Sequence, residues 1–199
     1  MELKLIRHTN NPEELLTHAY SMCYKSTPSI EAVISNLKHE SVLEHVTYTF
    51  EIKLSRVAWE QQVRHRIASY TAQSHRYTEP SMEDCYYYIP KSIEKAGIDA
   101  VEMYVESCVD LYDAYRRLRE EGVDKQDARY ILPKGVAISA LVTINLRSLI
   151  NFWALRLAPS AQDEIKELAK LMWDEVMPTL PNLYPYIKEL INKKIGGTK

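Results

Sequence analysis

The sequence predicts an α+β fold, a small and mostly antiparallel sheet surrounded by helices, with a helical lobe. Three segments carry this expectation. In 46–54, Val46, Tyr48, Phe50, Ile52 and Leu54 alternate with Thr47, Thr49, Glu51 and Lys53, the two-residue period of a strand with one buried face. Between 99 and 121, apolar residues recur at 101, 104, 105, 108, 111, 112, 115 and 118, the stripe of a long amphipathic helix. The run AISALVTINL, 137–146, is rich in β-branched residues and reads as a second long strand.

The other elements follow in chain order. Residues 2–7 alternate through Leu3 and Leu5 as a short strand. Asn11, Pro12, Glu13 and Glu14 form a helix-start signature, with a cap, a first-turn proline and acids at the positive dipole end. This predicts a helix over 12–24, and a second one after Pro28 as far as Lys38. VAWEQQVRHR predicts a helix over 57–67, the polar stretch 70–83 reads as a loop, and the triple tyrosine places a strand at 84–89. Gly122 should end the long helix, and Pro133 a short one over 124–132. Helices at 147–157, 160–177 and 182–194 complete the chain, with 193–199 a frayed tail. With no repeats or linkers, residues 1–199 read as one domain.

Composition narrows the function. The 25 Lys+Arg nearly balance 27 Asp+Glu, which argues against a nucleic-acid protein working by bulk charge. The five glycines, at 97, 122, 135, 196 and 197, spell no Gly-rich phosphate loop, so side chains or helix N-termini must hold any phosphate. Cys23, Cys85 and Cys108 are odd in number and widely spaced, which fits a reducing cytoplasm and gives no metal site. No apolar run has signal-peptide or membrane-span length. The expectation is a cytoplasmic protein with neither membrane nor nucleic acid as partner.

Three polar clusters stand out. Arg64, His65 and Arg66 precede Ser69, Ser74, His75 and Arg76. Successive helical residues diverge by about 100°, so these basic side chains either form a solvated helix end or address different groups. In NLRSLINFWALR, Arg147 and Asn151 share a helix face between Asn145 and Arg156, a pattern that suits a planar heteroaromatic ligand or plain capping and surface pairing. Arg129 sits in the apolar turn ARYIL, where an unpaired guanidinium is costly. HESVLEH, 39–45, either turns polar groups toward a ligand or caps a helix through Ser41.

Arg-His-Arg followed by seven residues and a serine, here Arg64-His65-Arg66-IASYTAQ-Ser74, resembles the signature of the flavin-dependent thymidylate synthases. HESVLEH, ARYILP at 128–133, NLRSLINFWALR at 145–156 and AQDEI at 161–165 recur in the same order, so the resemblance covers about residues 15–175. Departures occur at Thr71-Ala72, where the family often has Asn-Glu, at Tyr20-Ser21 in place of Ala-Arg, and at Pro159-Ser160.

The resemblance implies a homotetramer with shared active sites and FAD at subunit interfaces. It implies conversion of dUMP to dTMP, with methylenetetrahydrofolate as carbon donor and NADPH as reductant of the flavin. Carried over by position, His39, Ser41, Glu44, Arg64, His65, Arg66, Asn145, Arg147 and Asn151 would surround FAD. Gln61, Arg64, Ser74, His75, Arg76, Arg129 and Arg156 would surround dUMP, and Arg156 would activate the pyrimidine. Two rivals remain at this point: a flavin- and nucleotide-binding relative with another substrate, and an RNA-binding module that stacks bases on its tyrosines.

Overall fold

The computed structural model describes residues 1–26, 28–35 and 40–196. In chain order it has strand β1 (Glu2–His8), helices α1 (Pro12–Tyr24) and α2 (Ile30–Ser35), a 3-10 turn at Glu40–His45, strand β2 (Thr47–Ser55), helix α3 (Arg56–Gln62) and strand β3 (Ala68–Ala72). Helices α4 (Met82–Cys85), α5 (Lys91–Ala96), α6 (Ile98–Glu120) and α7 (Lys125–Ala128) follow, the last running into a 3-10 turn at Arg129–Ile131. Strand β4 (Ala137–Asn145) leads into helix α8 (Leu146–Arg156), then α9 (Asp163–Val176), a 3-10 turn at Met177–Thr179 and α10 (Tyr184–Gly196). The strands form one antiparallel sheet in the order β1-β2-β4-β3, so the predicted class stands. Among the described residues no helix is long and apolar enough to cross a membrane.

Three predicted elements are corrected. The helix expected to reach residue 67 stops at Gln62, and Ala68–Ala72, which overlaps the start of the loop expected over 70–83, is strand β3. Its alternation is of Ala and Tyr against Ser and Thr, too weakly apolar to stand out. The strand expected at 84–89 is absent. Met82–Cys85 is instead a helical turn closed by a capping box, in which Ser81 Oγ accepts from Asp84 N at 3.2 Å and Asp84 Oδ2 accepts from Ser81 N at 2.8 Å. At the C-terminus α10 is helical through Gly196, past the start of the expected frayed tail.

Contacts divide the chain into two compact units, each made of three stretches. The first comprises 1–2, 52–64 and 71–141. Its small core sets Cys85, Cys108 and Val136 against Tyr86, Tyr104, Tyr112 and Leu132. Here α6 buries Cys108 and Tyr115 of the stripe read from its sequence and half-buries the rest, except Leu118, which is exposed.

The second unit comprises 3–51, 65–70 and 142–199, and α8 is its centre. Asn145 Oδ1 caps α8 by accepting from Ser148 N at 2.9 Å. The helix buries Leu146, Leu149, Ile150, Phe152, Trp153 and Ala154, and leaves a polar stripe through Arg147 and Asn151. Trp153 Nε1 donates to the Ala169 carbonyl of α9 at 3.0 Å, and its ring meets Trp173 edge-on at 5.0 Å. In α1, Asn11 adopts a left-handed conformation and its amide donates to Glu14 rather than capping. Glu13 instead accepts from the backbone N–H groups of Asn182 and Leu183, just ahead of α10.

Replacing Trp153 by Phe removes the bond to Ala169 and part of the buried volume. Urea unfolding of this variant should show a loss of about 1–3 kcal/mol. A midpoint equal to wild type would show that α8 is held by other contacts.

Candidate functional site

In the second unit, the 3-10 turn and α8 bring one group of the singled-out residues together. Arg147 donates to Glu44 Oε1 at 2.6 Å and lies 3.4 Å from Glu40 Oε2. The hydrogen bond to Glu44 pushes the Arg147 guanidinium above its ordinary value, against the opposing effect of burial. One turn along α8, Asn151 Oδ1 accepts from Lys194 Nζ at 2.8 Å, and Lys194 also lies 4.0 Å from Glu40. Ser41 is exposed on the same 3-10 turn as Glu44. Asn145 spends its carbonyl oxygen on the cap, which leaves its NH2 as the donor it can offer. His39 lies outside the described residues.

Arg156 ends α8, about 14 Å of helical rise from Arg147. Its Nε donates to His65 Nε2 at 3.1 Å. That bond requires Nε2 to carry a lone pair, so His65 is neutral with its proton on Nδ1. Burial, and after it the Arg156 charge, pushes His65 down to about 4, which keeps it an acceptor at neutral pH. The imidazole packs edge-on to Phe152 at 4.8 Å, and its backbone carbonyl accepts from Tyr70 Oη at 2.8 Å. Arg64 and Arg66 are exposed on either side of it in sequence. All three follow the end of α3, so the helical divergence expected of Arg-His-Arg does not apply.

The first unit gathers the rest. His75 is buried, and Arg56, Glu60, Arg129, Tyr130 and Lys134 share the walls of a cleft of about 260 Å³ with it. Burial, followed by the charge of Arg56, lowers the His75 value; Arg129 adds to this, while Asp84 and a hydrogen bond with the Ala137 backbone oppose it. Arg76 lies in a neighbouring cleft with Tyr77, Arg119 and Lys125. Gln126 links the two, accepting from Arg76 through Oε1 at 3.3 Å and from Arg129 Nε through its backbone carbonyl at 3.1 Å. Ser74 is half-buried; its Oγ accepts from Arg76 N at 3.3 Å. Gln61 is half-buried on α3.

Sequence reading missed Arg56, Glu60, Lys134, Glu40 and Lys194. Glu40 stands four residues before Glu44, which was a usable signal. Lys194 carries none, since its place beside Asn151 depends on how α10 packs.

A family model described as thymidylate synthase complementing protein matches residues 4–182. A flavin-dependent thymidylate synthase of Sulfolobus acidocaldarius is 49% identical over 149 residues, which is 73% of this chain and 55% of that protein. Its counterpart in Sulfurisphaera tokodaii is 38% identical over 94% of this chain and 77% of its own length. Among solved structures, the flavin-dependent thymidylate synthase of Helicobacter pylori complexed with FAD and dUMP aligns with a TM-score of 0.73. It is 29% identical, and the alignment covers 94% of this chain and 97% of that one. A UMP/dUMP methylase of Streptomyces cacaoi, 19% identical, shares the fold with a TM-score of 0.78 over 96% of this chain and 94% of that one.

The Arg156–His65 contact has a pH signature. His65 has a lower value folded, about 4, than its ordinary 6.5. The unfolded chain therefore binds the extra proton between those values, and the stability that rests on neutral His65 is whole above pH 6.5 and is lost as pH falls toward 4. NMR titration should place the His65 ring near pH 4. Arg156→Gln should move it upward but not back to 6.5, because burial is the larger cause. A wild-type ring titrating at 6.5 would sink this account of the pair.

Proposed function

The chain belongs to the thymidylate synthase complementing protein family, that of the flavin-dependent thymidylate synthases, and we propose that it methylates dUMP reductively to dTMP with FAD as its cofactor. Methylenetetrahydrofolate is the carbon donor and NADPH the reductant in this reading. The enzyme works in the cytoplasm as a homotetramer with shared active sites, and the whole chain acts as one domain.

The observation that carries the reading is the guanidinium of Arg156 held by a neutral histidine. Methylation at C5 of uracil needs electron density pushed toward that carbon. A permanent cation beside N3 and the adjacent carbonyl does this by stabilising the anionic ring. Arginine suits the task, since it stays charged and offers planar paired donors. The thiolate route has little support. Burial pushes the Cys85 thiol up to about 12 and raises Cys108 as well, and exposed Cys23 turns its thiol to the Ala19 carbonyl.

The α8 stripe fits FAD by the chemistry of its donors. Arg147 and Lys194 supply charge for a pyrophosphate, Asn145 and Asn151 supply amides, and Glu40, Glu44 and Ser41 can accept from ribityl and ribose hydroxyls. By the family resemblance, exposed Arg64 and Arg66 are further cations for FAD, and His65, which holds Arg156, is among its neighbours. Bound FAD supplies the reducing equivalents that turn the transferred methylene into a methyl group. For dUMP, Gln61, Ser74, His75, Arg76 and Arg129 supply the phosphate and sugar contacts, with Arg64 alongside.

Two kinetic outcomes test these roles. Phosphate contacts are present in ground and transition states alike, so Arg129→Ala should raise the KM for dUMP by about 10-fold or more with little change in kcat. Arg156→Ala should lose most turnover at saturating dUMP while NADPH still bleaches the flavin, and Arg156→Lys should rescue poorly. Normal turnover of Arg156→Ala at saturating dUMP would leave Arg156 a binding residue only. The cofactor assignment has its own check: Arg147→Ala should weaken FAD binding, measured by flavin fluorescence, in a chain that stays folded.

A further inference from the structure

The cleft beside His75 carries more positive charge than the fold of its unit requires. Arg56, Arg129 and Lys134 stand in its walls with a single carboxylate, Glu60, which pairs with Lys134 at 3.2 Å. Arg129 Nε is bound to the Gln126 carbonyl, a neutral partner. Among the described residues the Arg56 guanidinium meets neither a carboxylate nor any hydrogen-bond acceptor of the chain. Three cations against one carboxylate in the walls leave two positive charges in excess beside a histidine only 3% exposed, since the Asp84 carboxylate that also acts on His75 is paired with Lys53 at 3.1 Å.

The position of Arg56 sharpens the point. It is the first residue of α3, the end at which the helix dipole disfavours a cation. Its own backbone is fixed, since Arg56 N donates to the Val136 carbonyl at 2.9 Å. A residue that breaks a local rule with no compensating partner marks a functional demand more often than a structural one. Two uncompensated charges match a phosphate monoester, which carries about −1.5 to −2 near neutral pH, better than they match one carboxylate. The volume of about 260 Å³ suits a phosphate with its sugar rather than a whole nucleotide.

We infer that Arg56 is a further binding residue for the 5′-phosphate of dUMP, acting with Arg129 and Lys134 in this cleft, and that Glu60 weakens the site by holding Lys134. The inference rests on the reading of dUMP as substrate. Arg56 and Arg129 each present a planar fork to the phosphate oxygens, and the neutral His75 beside them adds no competing charge. The carboxylates of a folate tail are the other anions within reach of the same chemistry.

Calorimetric titration of the flavin-loaded enzyme with dUMP, deoxyuridine and methylenetetrahydrofolate separates these cases. Arg56→Ala should weaken dUMP binding by about 10-fold or more and leave deoxyuridine, which lacks the phosphate, unchanged. Arg56→Lys should recover part of the loss, and Glu60→Gln should tighten dUMP several-fold. Arg56→Gln repeats the charge removal with more of the side chain kept, in case the alanine variant fails to fold. Equal weakening of dUMP and deoxyuridine, no weakening of either, or weakening of the folate alone would overturn the role of Arg56 while leaving the proposed reaction intact. A wild-type enzyme that binds neither nucleotide nor nucleoside would remove the substrate reading itself.

Discussion

The chemistry of the second unit depends on one constraint, the burial of α8 on every side but one. Six of its eleven residues are large or small apolar groups packed out of water, and Trp153 fastens them to α9 through a directed bond as well as by area. What stays accessible is fixed by elimination: Arg147, Asn151 and the exposed Leu155 along the stripe, and Arg156 at the end. A helix so packed cannot rotate or slide without breaking its core, so these side chains start from fixed points. Asn145 sets the beginning of that register, because its cap ends the strand and starts the helix at one residue.

The two sets of cations are handled in opposite ways. Arg147 and Lys194 are surrounded by Glu40 and Glu44, which neutralise them and hold them in place in the absence of any ligand. A polyanion binding there must compete with carboxylates, a cost that gives selectivity for ligands that also bring hydroxyl donors. Arg56 and Arg129 have no such guard. Their cleft is already committed to a negative ligand, and burial next to them keeps His75 neutral. One arrangement reads as exchange of partners, the other as an excess of positive charge.

Much of this was legible in the sequence, and the losses have physical reasons. The alternation of 46–54 is borne out residue for residue: Val46, Tyr48, Phe50, Ile52 and Leu54 are all buried. The bounds of α1 and α6 also follow from local signals, proline and acids at one start and glycine after one end. The third strand is hard to read because Ala68–Ala72 sets only Tyr70 between two alanines against Ser69 and Thr71, and its pairing depends on a neighbour distant in sequence. The misplaced strand at 84–89 came from weighting three tyrosines above Ser81 and Asp84, whose spacing spells a capping box. Arg147 and Asn151 were found as an i, i+4 pair, whereas Lys194, Arg56 and Lys134 meet their neighbours only through tertiary packing.

That packing also explains why His65 belongs with Arg156 rather than with the arginines on either side of it. Burial, here against Phe152, biases His65 toward the neutral form, and the charge of Arg156 itself strengthens the bias. Neutral imidazole can accept a hydrogen bond, and the guanidinium nearby has only donors. The pairing therefore fixes the plane of Arg156 without neutralising it, which a carboxylate at the same place would do. A carboxylate would stabilise the resting cation and weaken its pull on a developing anion. A histidine orients the charge and leaves it at full strength, and orientation without neutralisation is what activating a pyrimidine by electrostatics requires.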